Sequence, residues 1–438
     1  MTPELEPRVI RKIRRRILPF VMLLYFVSFL DRVNVGFAAF SMNKAIGLTS
    51  AMYGLGGGIF FLSYFLFEVP SNLILYRVGA RVWICRVMIT WGLISMASAF
   101  VIGPHSFYVM RFLLGAAEAG FFPGIILYLN NWFPARHRAV AAAAFMAAAP
   151  LSTALGSPIS GAIMQMKTFA GLSNWQWLYI LEAVPAVLLG VLVLVVLTDS
   201  PEKANWLASE ERDWLVGALQ AERAATNAQA GHTAGVWKAL LNPRVLVLAL
   251  IYMGTSAGLY TLGLWAPLIL KQFGFSPFVV GWLNSLPSFV AIAAMIAWAR
   301  HSDATQERTW HVVIPCALAC LGFVWAGSTH TLAGVILALM VVNIGVSSAK
   351  APLWAMPGMF LSGASAAAGI AMINSIGNLG GFIGPYLIGW LKDKWGSYAG
   401  GLYAVGAMLA LSAVLMLLLG SQSSRRSTIP AEIAGSDA

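Results

Sequence analysis

Long apolar segments recur along almost the whole chain and are separated by short polar connections. Each is about 20 residues or longer, which is the length that an α-helix needs to cross the hydrocarbon core of a bilayer. Only 10% of the residues are charged, against roughly 25% in soluble globular domains. The sequence therefore predicts an all-α integral membrane protein with about twelve transmembrane helices. The predicted spans are 17–39, 52–76, 82–102, 106–130, 139–164, 176–197, 243–269, 277–299, 310–328, 332–356, 364–390 and 398–420.

The longest polar stretch divides the predicted spans into two sets of six. It contains a charged run and an Ala/Gln/Thr/Gly-rich segment, as expected for a loop between two structural units. The predicted organisation is a basic N-terminus at 1–16, a six-helix bundle at 17–197, a central loop at 198–242, a second six-helix bundle at 243–420 and a tail at 421–438.

Weak internal repetition indicates that the two halves are related. Phe133 is followed by Pro158, and Phe360 is followed by Pro385 at the same spacing. A helix rich in small residues separates the two landmarks in both halves, and small residues let helices approach closely in lipid. Such segments are expected where two repeats rock against each other, although ordinary tight packing would also use them.

Lysine and arginine are concentrated in the connections on one side of the predicted membrane. Short cytoplasmic loops accumulate these residues, so both chain ends are predicted to lie in the cytoplasm. The net charge of +11 is explained largely by this topology, and no nucleic-acid partner is needed to account for it. We expect a monomer whose partners are membrane lipid and a small solute.

Ionisable residues interrupt several of the apolar segments. Asp31 and Arg32 lie in the first span, Arg111 and Glu118 in the fourth, and Lys350 in the tenth. Because charges in hydrocarbon are costly, such residues usually bind or move something charged. The sequence thus favours a transporter of a charged solute.

Helical spacing restricts how these charges can be arranged. Arg111 and Glu118 are seven residues apart and project from the same helix face, so they form either a functional pair or a pair that only neutralises itself in the core. Asp31 and Arg32 are adjacent, so their side chains point about 100° apart and cannot share one environment.

Other functional classes lack the residues that they need. A membrane-embedded enzyme would require a nucleophile with its base, or metal ligands at depth, yet all six histidines fall in loops or at span ends. An ion channel would require a pore-lining ring or a filter loop, and neither is visible. The glycine-rich stretch 54–58 lies in an apolar span with no strand before it, which indicates helix packing rather than a nucleotide site. No metal or cofactor is expected.

Six ordered segments carry a resemblance that covers nearly the whole chain. They are FLDRVNVGFA (29–38), FEVPSNLILYRVGARVWI (67–84), RFLLGAAEAGFFPGIILYLNNWFP (111–134), WQWLYILEAVPA (175–186), SDATQERTWHV (302–312) and GIAMINSIGNLGGFIGP (369–385). This combination resembles the anion:cation symporter branch of the major facilitator superfamily. The branch includes bacterial carriers for tartrate, phthalate, hydroxyphenylacetate, galactonate and hexuronates. The resemblance implies two pseudo-symmetric six-helix bundles that transport by alternating access.

The resemblance also implies roles for the charges in the first half. In similar carriers the residue matching Glu118 takes the coupling proton, and the residue matching Arg111 counterbalances it. A substrate that competes for the arginine would leave Glu118 free to accept a proton. We assign Arg32 to the substrate carboxylate, because a guanidinium donates two parallel hydrogen bonds to a carboxylate. Asp31 is then a second proton site that faces neighbouring helices, or alternatively a structural hydrogen-bond acceptor.

Further substrate contacts are implied at Tyr64, Trp354 and Asn374, which match contact residues of sugar-acid and galactonate carriers. Asn378 lies one turn after Asn374 on the same face, although asparagine in a span often only joins helices. Glu68 is predicted to pair with basic loop residues.

Lys350 separates this chain from many similar carriers, which have an uncharged residue there. An ammonium near the middle of a span needs an anionic partner, and spans seven to twelve contain no acidic residue. The partner must come from the first half or from the substrate. A second positive site would suit a dianion such as a dicarboxylate.

The loops that hold one state of these carriers are altered here. The motif between the second and third spans keeps Arg77, Gly79 and Arg81 but has Tyr76 where an acidic residue is usual. Its copy in the second half keeps Asp303. In similar carriers these loops stabilise the outward-facing state, so this chain is expected to do so less strongly.

The sequence therefore predicts a proton-coupled symporter that imports a small organic carboxylate, either a dicarboxylate or a sugar acid. A proton-independent anion exchanger or facilitator could use the same arginines and remains an alternative. A membrane-embedded enzyme is less favoured.

Overall fold

The structure is a computed structural model that describes residues 5–229, 241–361 and 363–427. The first half, here called the N-bundle, contains α1 (Leu5–Ala45), α2 (Ser50–Val78), α3 (Ala80–Ala97), α4 (Pro104–Glu118), α5 (Phe121–Trp132), α6 (Ala135–Met146), α7 (Ala148–Ile163) and α8 (Asn174–Val196). The helix α9 (Ser209–Gln229) follows in the central loop. The second half, the C-bundle, contains α10 (Pro243–Lys271), α11 (Pro277–Thr305), α12 (Thr309–Ser328), α13 (Leu332–Ser348), α14 (Lys350–Ala355), α15 (Gly363–Asn378), α16 (Gly380–Trp395) and α17 (Ala399–Ser427).

Eleven helical segments of the described chain are long and apolar enough to cross a membrane. Three of them consist of helices in tandem, α4 with α5, α6 with α7 and α13 with α14. The tandem pair α15 and α16 packs against α2 and α10 and completes the arrangement. The predicted all-α membrane fold with two six-helix halves is confirmed. With an even number of crossings, the start of α1 and the end of α17 lie at one face, here called the terminal face, and the opposite face is called the distal face.

Polar residues at the distal face fix where helices begin. Thr49 caps α2 by accepting a hydrogen bond from the Met52 amide, and Thr331 caps α13 by accepting one from the Gly334 amide. Ser276 caps α11, whose first residue is a proline. These side chains satisfy amide groups that the first helical turn leaves unpaired, and proline is tolerated there because its missing N–H is not needed.

The basic N-terminal segment continues directly into the first span, because α1 is one helix from Leu5 onward. Its apolar residue Val9 and Leu215 of α9 are buried in the same core. The Glu211 carboxylate receives Lys12 Nζ at 2.8 Å and Arg8 Nε at 3.0 Å, and the hydrogen bond from Lys12 holds the pKa of Glu211 below its usual value. The central-loop helix is therefore docked on the N-bundle.

The two bundles contact each other in the distal half of the molecule, through α2 with α16, α7 with α11 and α1 with α10. The backbone amides of Ser50 and Ala51 donate to the Asp393 carboxylate at 3.0 and 2.7 Å. The predicted landmark prolines lie in this contact, where Gly281 packs against Pro158 and Gly54 against Pro385. The distal side of the path between the bundles is thus closed.

Candidate functional site

Arg32 of α1 and Glu118 of α4 form a buried ion pair beside the C-bundle. Arg32 donates to Oε1 of Glu118 from Nε at 2.8 Å and from Nη2 at 2.7 Å. Ser28, one turn before Arg32, donates its hydroxyl to the same oxygen at 2.7 Å. The Glu118 side chain is 2% exposed and that of Arg32 is 11% exposed. The pair is desolvated but retains access to the space between the bundles.

Aromatic rings surround the Arg32 guanidinium. Its central carbon lies 5.5 Å from the ring centres of Phe29, Phe60 and Tyr64, and cations are attracted to aromatic faces at such distances. Nη1 also donates to the Tyr260 hydroxyl of the C-bundle at 3.3 Å. Arg32 therefore joins the two bundles, and Tyr64 lies beside it.

Arg111 is not the direct partner of Glu118, which corrects the expected pairing. Its Nε donates to the Gly56 carbonyl at 3.4 Å, and its guanidinium lies 4.9 Å from the Phe60 ring centre. Residues seven apart share a helix face but are about 10.5 Å apart along the axis, too far for a direct ion pair. Arg32 reaches Glu118 from the facing helix instead.

Asp31 points away from Arg32, as their adjacency in α1 requires. Its carboxylate accepts hydrogen bonds from Trp91, Ser95 and Asn34. The side chain is 4% exposed. Asp31 thus faces neighbouring helices of the N-bundle, as predicted, and its three donors are uncharged.

Glu68 does not pair with basic loop residues, contrary to the expectation from its position. Asn374 Nδ2 donates to its Oε1 at 2.7 Å, and Ser375 Oγ donates to its Oε2 at 3.0 Å. Both donors belong to α15, so the carboxylate joins α2 of the N-bundle to the C-bundle. The residue is 4% exposed. Because α15 packs over its carboxylate, the basic residues of the loops are kept away from it.

The other predicted residues of the C-bundle lie on α14 and at the end of α15. The Trp354 ring packs edge-on against Tyr252, with 4.9 Å between ring centres. Lys350 begins α14 one turn before Trp354 and is half-buried. Pro352 does not disrupt this spacing, since it lies in the first turn of the helix. Asn378 is the buried last residue of α15.

Lys350 has neither an ion pair nor a hydrogen bond with any side chain in the described parts of the chain. The predicted partner from the N-bundle is therefore not observed there. An unpaired ammonium at this depth is costly, so this position favours an anion.

The residues of the two loops that stabilise the outward-facing state in similar carriers contact their own bundles here. Gly79 links α2 to α3 with φ +95°. Arg81 lies 3.5 Å from the Asp199 carboxylate, and Arg77 is exposed. Asp303 pairs at 2.7 Å with Arg308 five residues later. In this distal-closed arrangement the two loops stabilise each bundle separately.

Three residues of the site were not identified from the sequence: Ser28, Tyr260 and Ser375. Ser28 had a signal, because it precedes Arg32 by one helical turn. Tyr260 and Ser375 belong to the C-bundle, and no local pattern indicates which helices meet across the interface. In the described residues, no group of three or more His, Cys, Asp or Glu side chains could hold a metal ion.

Comparison with known proteins decides the family. The sequence profile of the Major Facilitator Superfamily matches residues 21–385. The chain belongs to the major facilitator superfamily. The "Putative tartrate transporter" of Agrobacterium vitis is 62% identical over 96% of this chain and 96% of its own length. The "Quinolone resistance transporter" of Acinetobacter baumannii is 41% identical over 97% of this chain and 98% of its own length.

A solved structure of the superfamily has the same fold. The bacterial homologue of the human lysosomal transporter Spinster superposes with a TM-score of 0.77 at 15% identity, covering 94% of this chain and 98% of its own. The family predicted from the sequence is confirmed, and so is the assignment as a transporter rather than an enzyme.

Proposed function

We propose that this carrier is a proton-coupled symporter that imports a small organic carboxylate, with tartrate as the first candidate. The Arg32–Glu118 pair carries the proposal, because it places a cation for the substrate and a carboxylate for the proton in direct contact. The tartrate name of the 62% identical relative supports the choice of substrate class.

Coupling follows from competition for one arginine. Arg32 donates three of its five N–H groups, two to Glu118 and one to Tyr260. A substrate carboxylate accepts two parallel hydrogen bonds from the guanidinium and displaces Glu118. The freed carboxylate, held in a desolvated aromatic environment, then takes a proton. With the substrate carboxylate on Arg32 and the proton on Glu118, the site carries no net charge, and the carrier can switch the side to which the site is open. Release of the substrate and the proton restores the Arg32–Glu118 ion pair.

The second half of the site favours a dianion or a sugar acid. Lys350 supplies a second positive charge, and Trp354, Asn374 and Asn378 supply aromatic and amide groups of the C-bundle. Tyr64 lies beside Arg32 on the opposite wall. A dicarboxylate would place one carboxylate at Arg32 and the other at Lys350.

We assign the terminal face to the cytoplasm of a bacterium and the spans to its inner membrane, since lysine and arginine are concentrated at that face. The functional unit in this proposal is a monomer whose partners are lipid and the organic anion. No cofactor takes part, and Asp31 is the second proton site.

The test is uptake by purified protein in liposomes. With an inward pH gradient, tartrate should accumulate, and a protonophore should abolish the accumulation. Glu118→Gln should lose pH-driven accumulation but retain tartrate counterflow, because the isosteric amide cannot take a proton. Glu210→Gln, on the exposed face of α9, is the matched control and should behave like the wild type. Equal pH-driven accumulation by Glu118→Gln and the wild type would remove Glu118 from the coupling role.

The substrate class has its own test, a thermal-shift screen against mono- and dicarboxylates, neutral sugars and a quinolone. A ligand at 100 times its dissociation constant stabilises the folded protein by about 2.7 kcal/mol. Stabilisation by neutral sugars and not by any carboxylate would contradict the anion assignment.

An anion exchanger is the second candidate. It is favoured by the charge of Lys350, which has no ion pair within the described parts of the chain. An empty carrier that must bury an unpaired ammonium resists the change of access, whereas a bound anion at either face would remove this barrier. An exchanger would show tartrate counterflow that is insensitive to a protonophore and no accumulation under a pH gradient.

A further inference from the structure

A second group of buried polar side chains lies inside the N-bundle, apart from the Arg32 pair. Asn34 is fully buried and donates to the Asp31 carboxylate at 2.8 Å. The same amide interacts with Glu182 of α8, which is 2% exposed. Ser160 of α7 donates to Glu182 Oε1 at 2.6 Å. Asp31 and Glu182 are thus two buried carboxylates joined through one amide.

The charges of this interior do not balance if all groups are ionised. Two arginines, Arg32 and Arg111, face three carboxylates, those of Asp31, Glu118 and Glu182. Arg32 neutralises Glu118 directly, and Arg111 lies in electrostatic range of Asp31 and Glu118. Glu182 then remains without a cation. An uncompensated charge in a desolvated interior is costly. One proton shared by the three carboxylates would make this interior neutral.

The hydrogen bonds around Asn34 and Glu182 also lack one donor. Oδ1 of Asn34 and Oε2 of Glu182 are both buried and have no hydrogen-bond partner among the residues that the structure describes. Buried acceptors without a donor are rare because they lose their hydration without compensation. A proton on the Glu182 carboxyl group supplies a donor where these two acceptors lack one.

Glu182 lies between Asp31 and the distal face. It is eight residues after the start of α8 at that face, or about 12 Å along the helix. Asp31 is fourteen residues before the distal end of α1, or about 21 Å. A proton that enters from the distal side therefore reaches the depth of Glu182 first.

We propose that Glu182 is a proton-carrying residue and that Asp31, Asn34 and Glu182 form the route of the coupling proton from the distal face. The proton leaves the Glu182 carboxyl group, which becomes a carboxylate, and joins the Asp31 carboxylate, which becomes an acid. The Asn34 amide donates to whichever carboxylate is charged, and this transfer leaves the net charge of the two carboxyl groups unchanged. This inference rests on the proposed proton coupling.

The groups that face this route come from five helices. Asn34 lies on α1, Trp91 and Ser95 on α3, Arg111 and Glu118 on α4, Ser160 on α7 and Tyr179 on α8. Of these, Arg111 is the cation in electrostatic range of Asp31. It stabilises a charge on Asp31 and so draws the proton toward Glu182 when the substrate is absent.

The experiment compares wild type and Glu182→Gln in liposomes with tartrate as the probe. Glutamine keeps the size of the side chain and the acceptor for Ser160 but cannot release a proton. We expect pH-driven tartrate accumulation to fall at least tenfold, with counterflow within about twofold of the wild type. Infrared difference spectra recorded across a pH titration, without substrate, should lose one carboxyl band in the variant.

Glu210→Gln is the matched control, because it removes a carboxyl group on the exposed face of α9, outside this route, and it should remain coupled. Glu182→Asp should regain part of the accumulation that Glu182→Gln loses. Full accumulation by Glu182→Gln beside a coupled wild type, or an unchanged carboxyl band, would overturn this role and leave the proposed symport intact. A wild type that shows counterflow but no pH-driven accumulation would overturn both.

Discussion

Arg32 reaches Glu118 from the facing helix, whereas Arg111, on the same helix as Glu118, bonds to the Gly56 carbonyl instead. The adjacency of Asp31 and Arg32 correctly predicted that the two side chains lie in different environments. The seven-residue spacing of Arg111 and Glu118 correctly placed both in the interior of the fourth span but indicated the wrong partner. Helical spacing reports which face a residue occupies, and it carries no information on which helix lies opposite.

Arg32→Ala should weaken tartrate binding by about 3 kcal/mol or more, because it removes a desolvated hydrogen-bond donor and leaves a substrate carboxylate unpaired. Arg111→Lys should change binding by less than about 1 kcal/mol, since the retained charge lies away from Glu118 and its present hydrogen bond is a long one. Isothermal titration calorimetry in detergent measures both. Unchanged binding in Arg32→Ala with loss of binding in Arg111→Lys would reverse the two assignments.

Lys350→Met should weaken a dicarboxylate more than its monocarboxylate analogue. Methionine preserves much of the side-chain volume, so the difference reports the lost charged hydrogen bond, about 1.5 to 3 kcal/mol. Competition of succinate and butyrate against labelled tartrate measures it. Lys271→Met, at the distal end of α10, is the control and should affect both acids equally. An equal loss for the two acids in Lys350→Met would show that Lys350 does not contact the second carboxylate.

The fourth span shows the same limit at the scale of an element. The sequence predicted one uninterrupted helix, but the structure breaks it directly after Glu118. Gly120 adopts the left-handed conformation with φ +88°. Ser71 donates to the freed Ala119 carbonyl at 2.6 Å and accepts from Trp83 Nε1 at 3.0 Å. Glycine is common within membrane helices, so only these contacts from α2 and α3 reveal that this one ends a helix.

Gly120→Ala should destabilise the protein by about 1 to 3 kcal/mol, because a side chain there would strain the backbone and would collide with Ser71. Transport should fall as well, since the break positions Glu118. Thermal unfolding in detergent and tartrate uptake measure the two effects. Gly217→Ala in α9, where a side chain would meet open space, is the control and should be neutral or slightly stabilising. Equal stability of both variants would contradict the role of the break.

At the scale of the whole molecule, the twelve spans and the two halves followed from hydropathy and from the polar stretch between them. The side on which the bundles are closed did not follow, nor did the contact of Glu68 with Asn374. Hydropathy reports the transfer free energy of each segment into lipid. This transfer free energy is nearly the same whether the two bundles are tilted to close the distal side or the terminal side. The free energies of the two conformations differ by only a few kcal/mol. Contacts between halves that exist in one tilt therefore leave no periodic signal.

Closure of the distal side depends on glycine positions that permit backbone contact between the bundles. A Cβ atom on Gly281 would lie 3.0 Å from Pro158 Cα and closer still to the Ser157 carbonyl, and backbone atoms of a packed helix cannot move aside cheaply. Gly281→Leu should therefore separate α7 from α11 and shift the population toward a distal-open carrier. Tartrate transport should fall at least tenfold because one of the two required states is disfavoured.

Spin labels at positions 105 and 330 measure this shift. Both histidines are exposed, at distal ends of helices in different bundles, so their distance reports the opening directly. The distance distribution of Gly281→Leu should move to longer values than that of the unsubstituted labelled protein. Gly263→Leu in α10 is the matched control, because a Cβ atom there meets nothing within 4 Å, and its distribution should remain unchanged. Identical distributions in both variants would show that the contact of α7 with α11 does not hold the distal side closed.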